Sequence, residues 1–556
     1  MDKKNTLLYH RFMEETLDED GNLKDVAYHI PENFNFGFDV VDALAQKSPD
    51  KTAMLWESNS HEVKRFSFSD MMRLSNQTAN YLCSLGIKKG DRVLLILKRH
   101  YQFWYTIVAL HKIGAVAIPA TYLLKEEDLV YRFDAAKIGA VICTADGDVA
   151  DNVDLALKHD NNVSLKLIVN GKKDGWLDFD CQIEAQSDQF ERPAGALENK
   201  ACDPMLMYFT SGTTAYPKIA VQDYTYPIGH IITARWWHNV NPNGLHFTIS
   251  DTGWGKAVWG KIYGQWLCEA PIYTYDFDRF NADDILKLFA KHQITTFCAP
   301  PTMYRMFIKE SLEKYDLSSL TYACTAGEAL NPEVYYQFEK ATGMPVMEGF
   351  GQTETTLTLG NLIGMTPKPG SMGKPTPQYD IALISGNGTP AGIGEVGEIC
   401  IRTESGKPCG MFSGYYLDEQ QTSEAWHDGL YHTGDMARLD EDGYYWYVGR
   451  TDDIIKSSGY RISPFEVENV IMEIPYVLEC AITGVPDEIR GQLVKATIVL
   501  TKDKQASEDL KKEVQQYVKT HTAPYKYPRV VEFAEELPKT VSGKIRRVEI
   551  REQDQQ

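Results

Sequence analysis

The stretch MLMYFTSGTTAYPKIA, residues 205–220, places four hydroxyl side chains within five residues: Thr210, Ser211, Thr213 and Thr214, grouped around Gly212. An apolar, strand-like run (Met205–Phe209) leads directly into it, and a cation follows at Lys218. Small residues let backbone N–H groups approach an anion, and hydroxyls add donors. That is the equipment for holding a triphosphate, although such clusters are also common in plain surface turns. It is not a Walker loop: no Gly-Lys-Ser/Thr closes it, and Pro217 removes an amide before the lysine. Gly255 and Gly260-Lys261 match that spacing, but Ile262 stands where a magnesium-binding hydroxyl is needed. The run from Gly392 to Gly397 matches the dinucleotide fingerprint, yet it precedes a strand instead of opening a helix, so its glycines read as turn residues.

Elements that must position such a loop are legible around it. Helical spacing over Phe68–Leu85 alternates with β-rich runs at Arg92–Leu97, Ala115–Pro119, Gly139–Thr144 and Leu165–Val169. Helices are expected at Phe103–Ile113 and Asp128–Ala136 between them. The alternation resumes with Ala282–His292, Ile294–Cys298, Pro332–Thr342 and Met344–Met347, which predicts parallel sheet covered by helices. After about residue 370, dense Pro and Gly with short runs at Asp380–Ile384 and Gly397–Ile401 predict a small β-rich lobe. Beyond Arg450, a helix at Pro464–Met472, strands at Val477–Gly484 and Lys495–Leu500 and a helix at Glu508–His521 predict a separate α+β domain. The expected boundaries are therefore 1–450 and 451–556, within an α/β fold class: two αβ-layered subdomains and a β-rich lobe, then a small mobile cap.

Composition bounds the function. With 43% hydrophobic and 24% charged residues, the 556-residue chain is neither disordered nor fibrous. Lys plus Arg number 57 against 77 Asp plus Glu, a formal charge of −20, which disfavours nonspecific binding to nucleic acid. No run approaches the roughly 20 apolar residues of a membrane helix, and the acidic N-terminal stretch reads as no secretion signal. Ten cysteines without a C-x-x-C pair predict free thiols and a cytoplasmic protein.

Five segments form an ordered series: TSGTTAYPK at 210–218, GFGQTE at 349–354, HTGD at 432–435, GRTDDIIKSSGYRI at 449–462 and PKTVSGKIRR at 538–547. The series resembles the acyl-CoA synthetases of the adenylate-forming superfamily, and among them most closely the medium-chain enzymes. One departure is Ala215, where the family's loop usually has glycine. The resemblance implies that a carboxylic acid and ATP give an acyl-adenylate and pyrophosphate, after which coenzyme A takes the acyl group. It also implies Mg²⁺, with Glu354 as its ligand. Thr210, Ser211, Gly212, Thr213, Thr214 and Lys218 would hold the β- and γ-phosphates. Glu348, Gly349, Phe350, Gly351 and Gln352 would line the nucleotide site, with Phe350 on adenine, and Gly327-Glu328 would form the adenine-side loop. Thr353 would contact the α-phosphate or acyl carboxylate, Asp435 both ribose hydroxyls, and Arg450 ribose and phosphate.

In the same resemblance Lys544 is the catalytic lysine that reaches the α-phosphate, and Asp452 is the hinge about which the small domain rotates. Lysine is a mobile point charge on a long stem, suited to arriving and leaving. A protein acyltransferase or deacylase acting on Lys544 is an implied partner. Coenzyme A would enter along Ser458-Gly459-Tyr460-Arg461, with Arg490 and Tyr525-Lys526-Tyr527 at its nucleotide end. Acetyl-specific relatives carry tryptophan where this chain has Gly351, so an open acyl slot is expected, admitting a medium-chain, branched or aryl acid. Trp254 and Trp259 are candidate pocket residues; with Trp266 they form an aromatic stretch that plain core packing would also explain. Two other readings remain: an enzyme that loads a carrier protein, and a nucleotide sensor that has lost catalysis. Lys544, Glu354 and Asp435 together argue against the second.

Overall fold

The computed structural model describes residues 6–159, 162–210, 217–458, 460–539 and 545–554. Two large sheets build the body. The first has seven strands in the order Lys218–Asp223, Pro204–Thr210, Val116–Pro119, Arg92–Ile96, Ala140–Thr144, Leu165–Val169, Leu177–Asp178, parallel except at the Pro204–Thr210/Lys218–Asp223 pair. The second has nine, with Thr52–Ser58, Ile272–Asp276, His246–Thr248, Thr296–Ala299, Tyr322–Ala326 and Val346–Phe350 running parallel at its centre. Helices cover them as the alternating pattern requires.

The helix Gln102–Ile113 is buried at every position, in keeping with a sequence apolar nearly all round. Its polar groups find partners: Nε1 of Trp104 donates to the Lys261 carbonyl at 2.9 Å, and His111 Nε2 meets the Tyr263 hydroxyl at 2.9 Å. Burial drives the His111 pKa down to about 3, so the imidazole is neutral.

The β-rich lobe is an antiparallel sheet of Ile381–Ile384, Val396–Arg402, Leu430–Leu439, Trp426–His427 and Tyr445–Arg450. A further sheet carries Ile455–Ser457, Tyr460–Ile462, Val477–Asp487, Gly491–Leu500 and Val530–Ala534, flanked by the helices Pro464–Met472 and Glu508–His521. No helix among the described residues is long and apolar enough to cross a membrane.

The helices Ala282–His292, Pro332–Thr342, Pro464–Met472 and Glu508–His521 start and stop where expected. Each is capped by a side chain that accepts a first-turn amide: Asn281, Asn331, Ser463 and Ser507. Strand ends differ more. The strand expected at Met344–Met347 is Val346–Phe350, and that expected at Lys495–Leu500 begins at Gly491, because its hairpin partner Val477–Asp487 pairs with it down to Asp487 opposite Gly491. Gly260 lies within the helix Gly255–Lys261, where a Cβ would sit 2.6 Å from Thr248, and Gly394 is a turn residue with φ +80°; both near-motifs are packing features.

Candidate active site

The site begins with a distortion in a strand. Between its pairings with Cys400 and Glu398, Leu430–Leu439 advances four residues, from His432 to Met436, while its neighbour advances two. The excess is a bulge at Thr433-Gly434-Asp435, the device that re-aims a side chain. Gly434 takes φ +71°, which favours glycine, and a Cβ there would lie 2.9 Å from Arg450 Nη2, so any side chain would push the guanidinium aside. Thr433 Oγ1 donates to the Ile399 carbonyl at 2.7 Å and accepts the Asp435 amide at 3.1 Å, which fixes the turn.

Asp435 is 5% exposed. Its Oδ2 accepts from Gln352 Nε2 at 2.5 Å, its Oδ1 from the Tyr447 hydroxyl at 3.1 Å, and Arg450 Nη1 stands 3.5 Å away. The same Gln352 amide donates to the Thr433 carbonyl at 2.8 Å, and its Oε1 accepts from Tyr431 at 2.9 Å. GFGQTE and HTGD are thus joined by a hydrogen-bonded glutamine. Asp435 and Asp452 hold the Arg450 pKa well above the usual guanidinium range, against the opposing effect of burial.

Glu354 follows on the same loop, 9% exposed, its Oε1 accepting from the Tyr415 hydroxyl at 2.9 Å. Burial raises its pKa, while Tyr415, Arg450 and Lys218 oppose the rise. Lys218 Nζ sits 5.0 Å over the Tyr415 ring. Gln222, two strand steps on from Ala220, donates to the Thr353 carbonyl at 2.6 Å. The hairpin that brackets the hydroxyl-rich loop is therefore fastened to QTE. Ser211, Gly212, Thr213, Thr214 and Ala215 themselves lie outside the described residues; Thr210 ends one hairpin strand and Lys218 begins the other.

Phe350 ends the strand Val346–Phe350. Gly327, with φ +108°, turns the chain beside Lys256, whose Nζ donates to the Ala326 carbonyl at 2.6 Å. Glu328 lies 4.0 Å from Arg305. Glu348 is buried; Oε1 accepts the Leu330 amide at 3.1 Å, Oε2 has no partner among the described residues, and burial pushes the pKa up to about 8.

Behind GFGQTE lies an aromatic nest. Trp237 donates from Nε1 to the Met347 carbonyl at 3.1 Å, and a Cβ on Gly349 would meet its ring at 2.7 Å. The Trp259 ring is surrounded by His238 at 5.7 Å, Trp237 at 6.1 Å and His230 at 6.2 Å. Trp254 precedes the helix Gly255–Lys261. Trp266 points elsewhere: it is fully buried against Phe36 and Phe68, with Nε1 on the Ala53 carbonyl at 3.1 Å. At Gly351 a Cβ would lie 2.2 Å from the Thr356 carbonyl oxygen, so the direction expected to be an open slot is filled by backbone.

A second group of residues gathers on the small domain. Ser458 (φ +51°) donates its amide to the Arg490 carbonyl at 2.8 Å, and Arg490 Nη1 donates to Ser458 Oγ at 3.3 Å. Tyr460, half exposed, stacks on Tyr525 at 4.1 Å and 11°. Lys526 pairs with Glu466 and lies 5.7 Å over the Tyr525 ring, and Tyr527 accepts from Arg529 at 2.8 Å. Arg461 is set apart, its guanidinium close to Gly386 of the β-rich lobe. Gly459 and Lys544 lie outside the described residues.

Between the two groups, the Thr451 amide donates to the Gly434 carbonyl at 2.9 Å, and Arg450 Nε stands 3.7 Å from Asp452. Asp453 is held from the other side by Arg551 at 2.6 Å and Arg547 at 3.7 Å.

A model for the AMP-binding enzyme matches residues 41–416, and one for the AMP-binding enzyme C-terminal domain matches 466–544. The chain belongs to the AMP-binding enzyme family. Within that family it is 39% identical over 543 residues to the acyl-coenzyme A synthetase ACSM3, mitochondrial, of Homo sapiens, covering 96% of this chain and 91% of the relative. To ACSM4, mitochondrial, of Mus musculus it is 39% identical over 549 residues, covering 97% and 94%. Among solved AMP-binding relatives, the anthranilate CoA ligase AuaEII in complex with anthranoyl-AMP superposes with a TM-score of 0.85 at 27% identity, covering 95% of this chain and 98% of that one. A benzoate CoA ligase from Burkholderia xenovorans LB400 gives 0.80 at 25%, covering 93% and 100%. The large N-terminal portion with two layered sheets and the small C-terminal domain are the family's architecture. The curated relatives are named mitochondrial, a compartment other than the cytoplasmic one expected from composition.

Sequence reasoning missed the residues that fasten these motifs together: Gln222, Tyr415, Tyr431, Tyr447, Trp237 and Lys256. None belongs to a spaced pattern; each meets its motif partner only through the tertiary fold.

Proposed function

We propose that this chain is an AMP-forming acyl-CoA synthetase that activates a medium-chain, branched or aryl carboxylic acid, with a boundary near residue 450 between a nucleotide- and acyl-binding body and a moving cap. The observation that carries this reading is the convergence on Asp435: Gln352, Tyr447 and Arg450 hold a buried carboxylate on the strand Leu430–Leu439 of the β-rich lobe. An ionised carboxylate so placed accepts hydrogen bonds from both hydroxyls of a ribose.

In the first half-reaction a carboxylate oxygen of the acid bonds to the α-phosphorus and the α–β bridging bond breaks, releasing pyrophosphate. Charge concentrates on the α-phosphate, so cations and amides must surround it. Lys218, Arg450 and the arriving Lys544 are the cations of this reading, and Thr353 the nearby hydroxyl. Glu354 fits a magnesium ion: with Oε1 engaged by Tyr415, the second carboxylate oxygen remains, and this ion is commonly bound by one carboxylate together with substrate phosphates. Bound there, it would neutralise phosphate charge. In the second half-reaction the coenzyme A sulfur bonds to the acyl carbon and AMP leaves. Ser458, Arg490, Tyr460 and Tyr525 form the surface for that substrate, with an exposed aromatic stack and a guanidinium.

The anthranilate and benzoate CoA ligases among the solved relatives support an acid larger than acetate, each buried methylene or its equivalent contributing roughly 0.8 kcal/mol. Cytoplasmic residence, and acylation of Lys544 by a partner enzyme, belong to the same reading; acylation removes the travelling charge and should silence the first step. Acid-dependent exchange of pyrophosphate into ATP, together with thioester formation from free coenzyme A, tests the whole. Butyrate to octanoate should exceed acetate in kcat/KM. Acetate prevailing would overturn the acyl assignment, and exchange without thioester would move the acceptor from coenzyme A to a carrier protein.

A further inference from the structure

Just before Asp435, the same bulge gathers three groups that the chemistry above does not use. Glu398 and Cys400 alternate along Val396–Arg402 and so share a face, and Cys400 stands directly opposite His432. His432 Nδ1 lies 3.0 Å from Glu398 Oε2 and 3.5 Å from Cys400 Sγ, and the three donor atoms all fall within 4.8 Å of one another. Around a metal with bonds of about 2.0–2.3 Å, the edges of a tetrahedron are about 3.3–3.8 Å long, so these separations are already close to those of a ligand set. His432 Nε2 is buried and has no partner among the described residues. The His427 ring stacks 3.9 Å above His432 and fixes its plane.

A thiol, an imidazole and a carboxylate form the donor set of a zinc-class ion; magnesium and calcium prefer oxygen alone. We propose that Glu398, Cys400 and His432 form a binding site for a zinc-class divalent cation, with the fourth position left to water, and that its occupancy is coupled to Asp435. On binding, the Cys400 proton passes to solvent, and Nδ1 of His432 gives its lone pair to the metal while Nε2 carries the ring proton. The link to Asp435 is short, one hydrogen bond and one peptide bond. Glu398 Oε1 accepts the Gly434 amide at 2.8 Å, so drawing Glu398 onto a metal weakens the bond that shapes the turn presenting Asp435.

Equilibrium dialysis of the full chain against zinc should find one ion per chain in the wild type. Its affinity should fall ~100-fold or more in Cys400→Ser, a near-isosteric change chosen to keep the fold, as circular dichroism would verify. Cobalt should give the near-ultraviolet thiolate-to-metal absorption band in the wild type and lose it in Cys400→Ser. Equal zinc binding in both proteins, or cobalt binding without that band, would overturn the site. Adenosine, which has no phosphate to sequester the metal, reads the coupling: zinc should weaken its binding to the wild type and leave Cys400→Ser unaffected. Adenosine bound equally with and without zinc in the wild type would overturn the coupling. Its binding without zinc belongs to the proposed function and stands or falls separately.

Discussion

Glu348 shows how much a single position can carry. Its carboxyl is buried with one oxygen on the Leu330 amide and the other without a partner among the described residues, and burial raises its pKa from 4.5 to about 8. Between those values the folded chain keeps a proton that the unfolded chain has lost, so stability falls as pH rises through that window. A tenfold change in proton affinity is worth about 1.4 kcal/mol, which makes the loss a few kcal/mol by pH 8. Glu348→Gln retains an acceptor for Leu330 and has nothing to ionise. Thermal unfolding should therefore show the variant gaining on the wild type from pH 5 to pH 8 and converging with it near pH 4.5; a constant offset across the range would refute the ionisation argument. At this scale the motif residues were legible because their types are chemically specific. Tyr415 was not, since nothing between it and Glu354, sixty-one positions away, marks the hydrogen bond they share.

Among the elements, the bulge at Thr433-Gly434-Asp435 matters most, and it was the least legible. Alternation along Leu430–Leu439 could suggest a strand, but the two extra residues that turn Asp435 inward exist only relative to the neighbour Val396–Arg402. Capped helices such as Ala282–His292 were legible to the residue because Asn281 writes the cap into the chain. Alanine at Gly434 must adopt a left-handed backbone and displace the Arg450 guanidinium, a cost of about 1–2 kcal/mol for the backbone alone. Gly434→Ala should raise the KM for ATP about 10-fold or more. A variant that melts earlier yet binds ATP normally would show that the turn serves only the fold.

The whole molecule is read as two bodies that share one nucleotide. Sheet-building alternation and the Pro/Gly-rich texture made the first legible and the helix and strand pattern beyond Arg450 the second, whereas their relative placement depends on side-chain contacts such as Ser463 with the Val448 carbonyl and Phe465 with Tyr447. If Lys544 is the travelling cation, Lys544→Ala should lose about 10²–10³-fold in adenylation while making thioester from supplied acyl-adenylate within a few-fold of wild type. Equal loss of both steps would refute a role confined to the first. The short connection between the bodies sets a sharper limit. Thr451 is tethered by its amide to Gly434, and Asp453 by its carboxylate to Arg547 and Arg551. Whatever swing the cap makes while those anchors hold must pull the Asp453 and Ile454 amides off the Arg450 carbonyl they share at 3.1 and 3.2 Å and be absorbed by the torsions between Thr451 and Asp453, about Asp452, as an axle turns only between its bearings. A proline there fixes one of those torsions and restricts the residue before it. Asp452→Pro should arrest the enzyme in a single pose, one half-reaction surviving and the other lost, and a proline variant that turns over both at the natural rate would show that the pivot lies elsewhere.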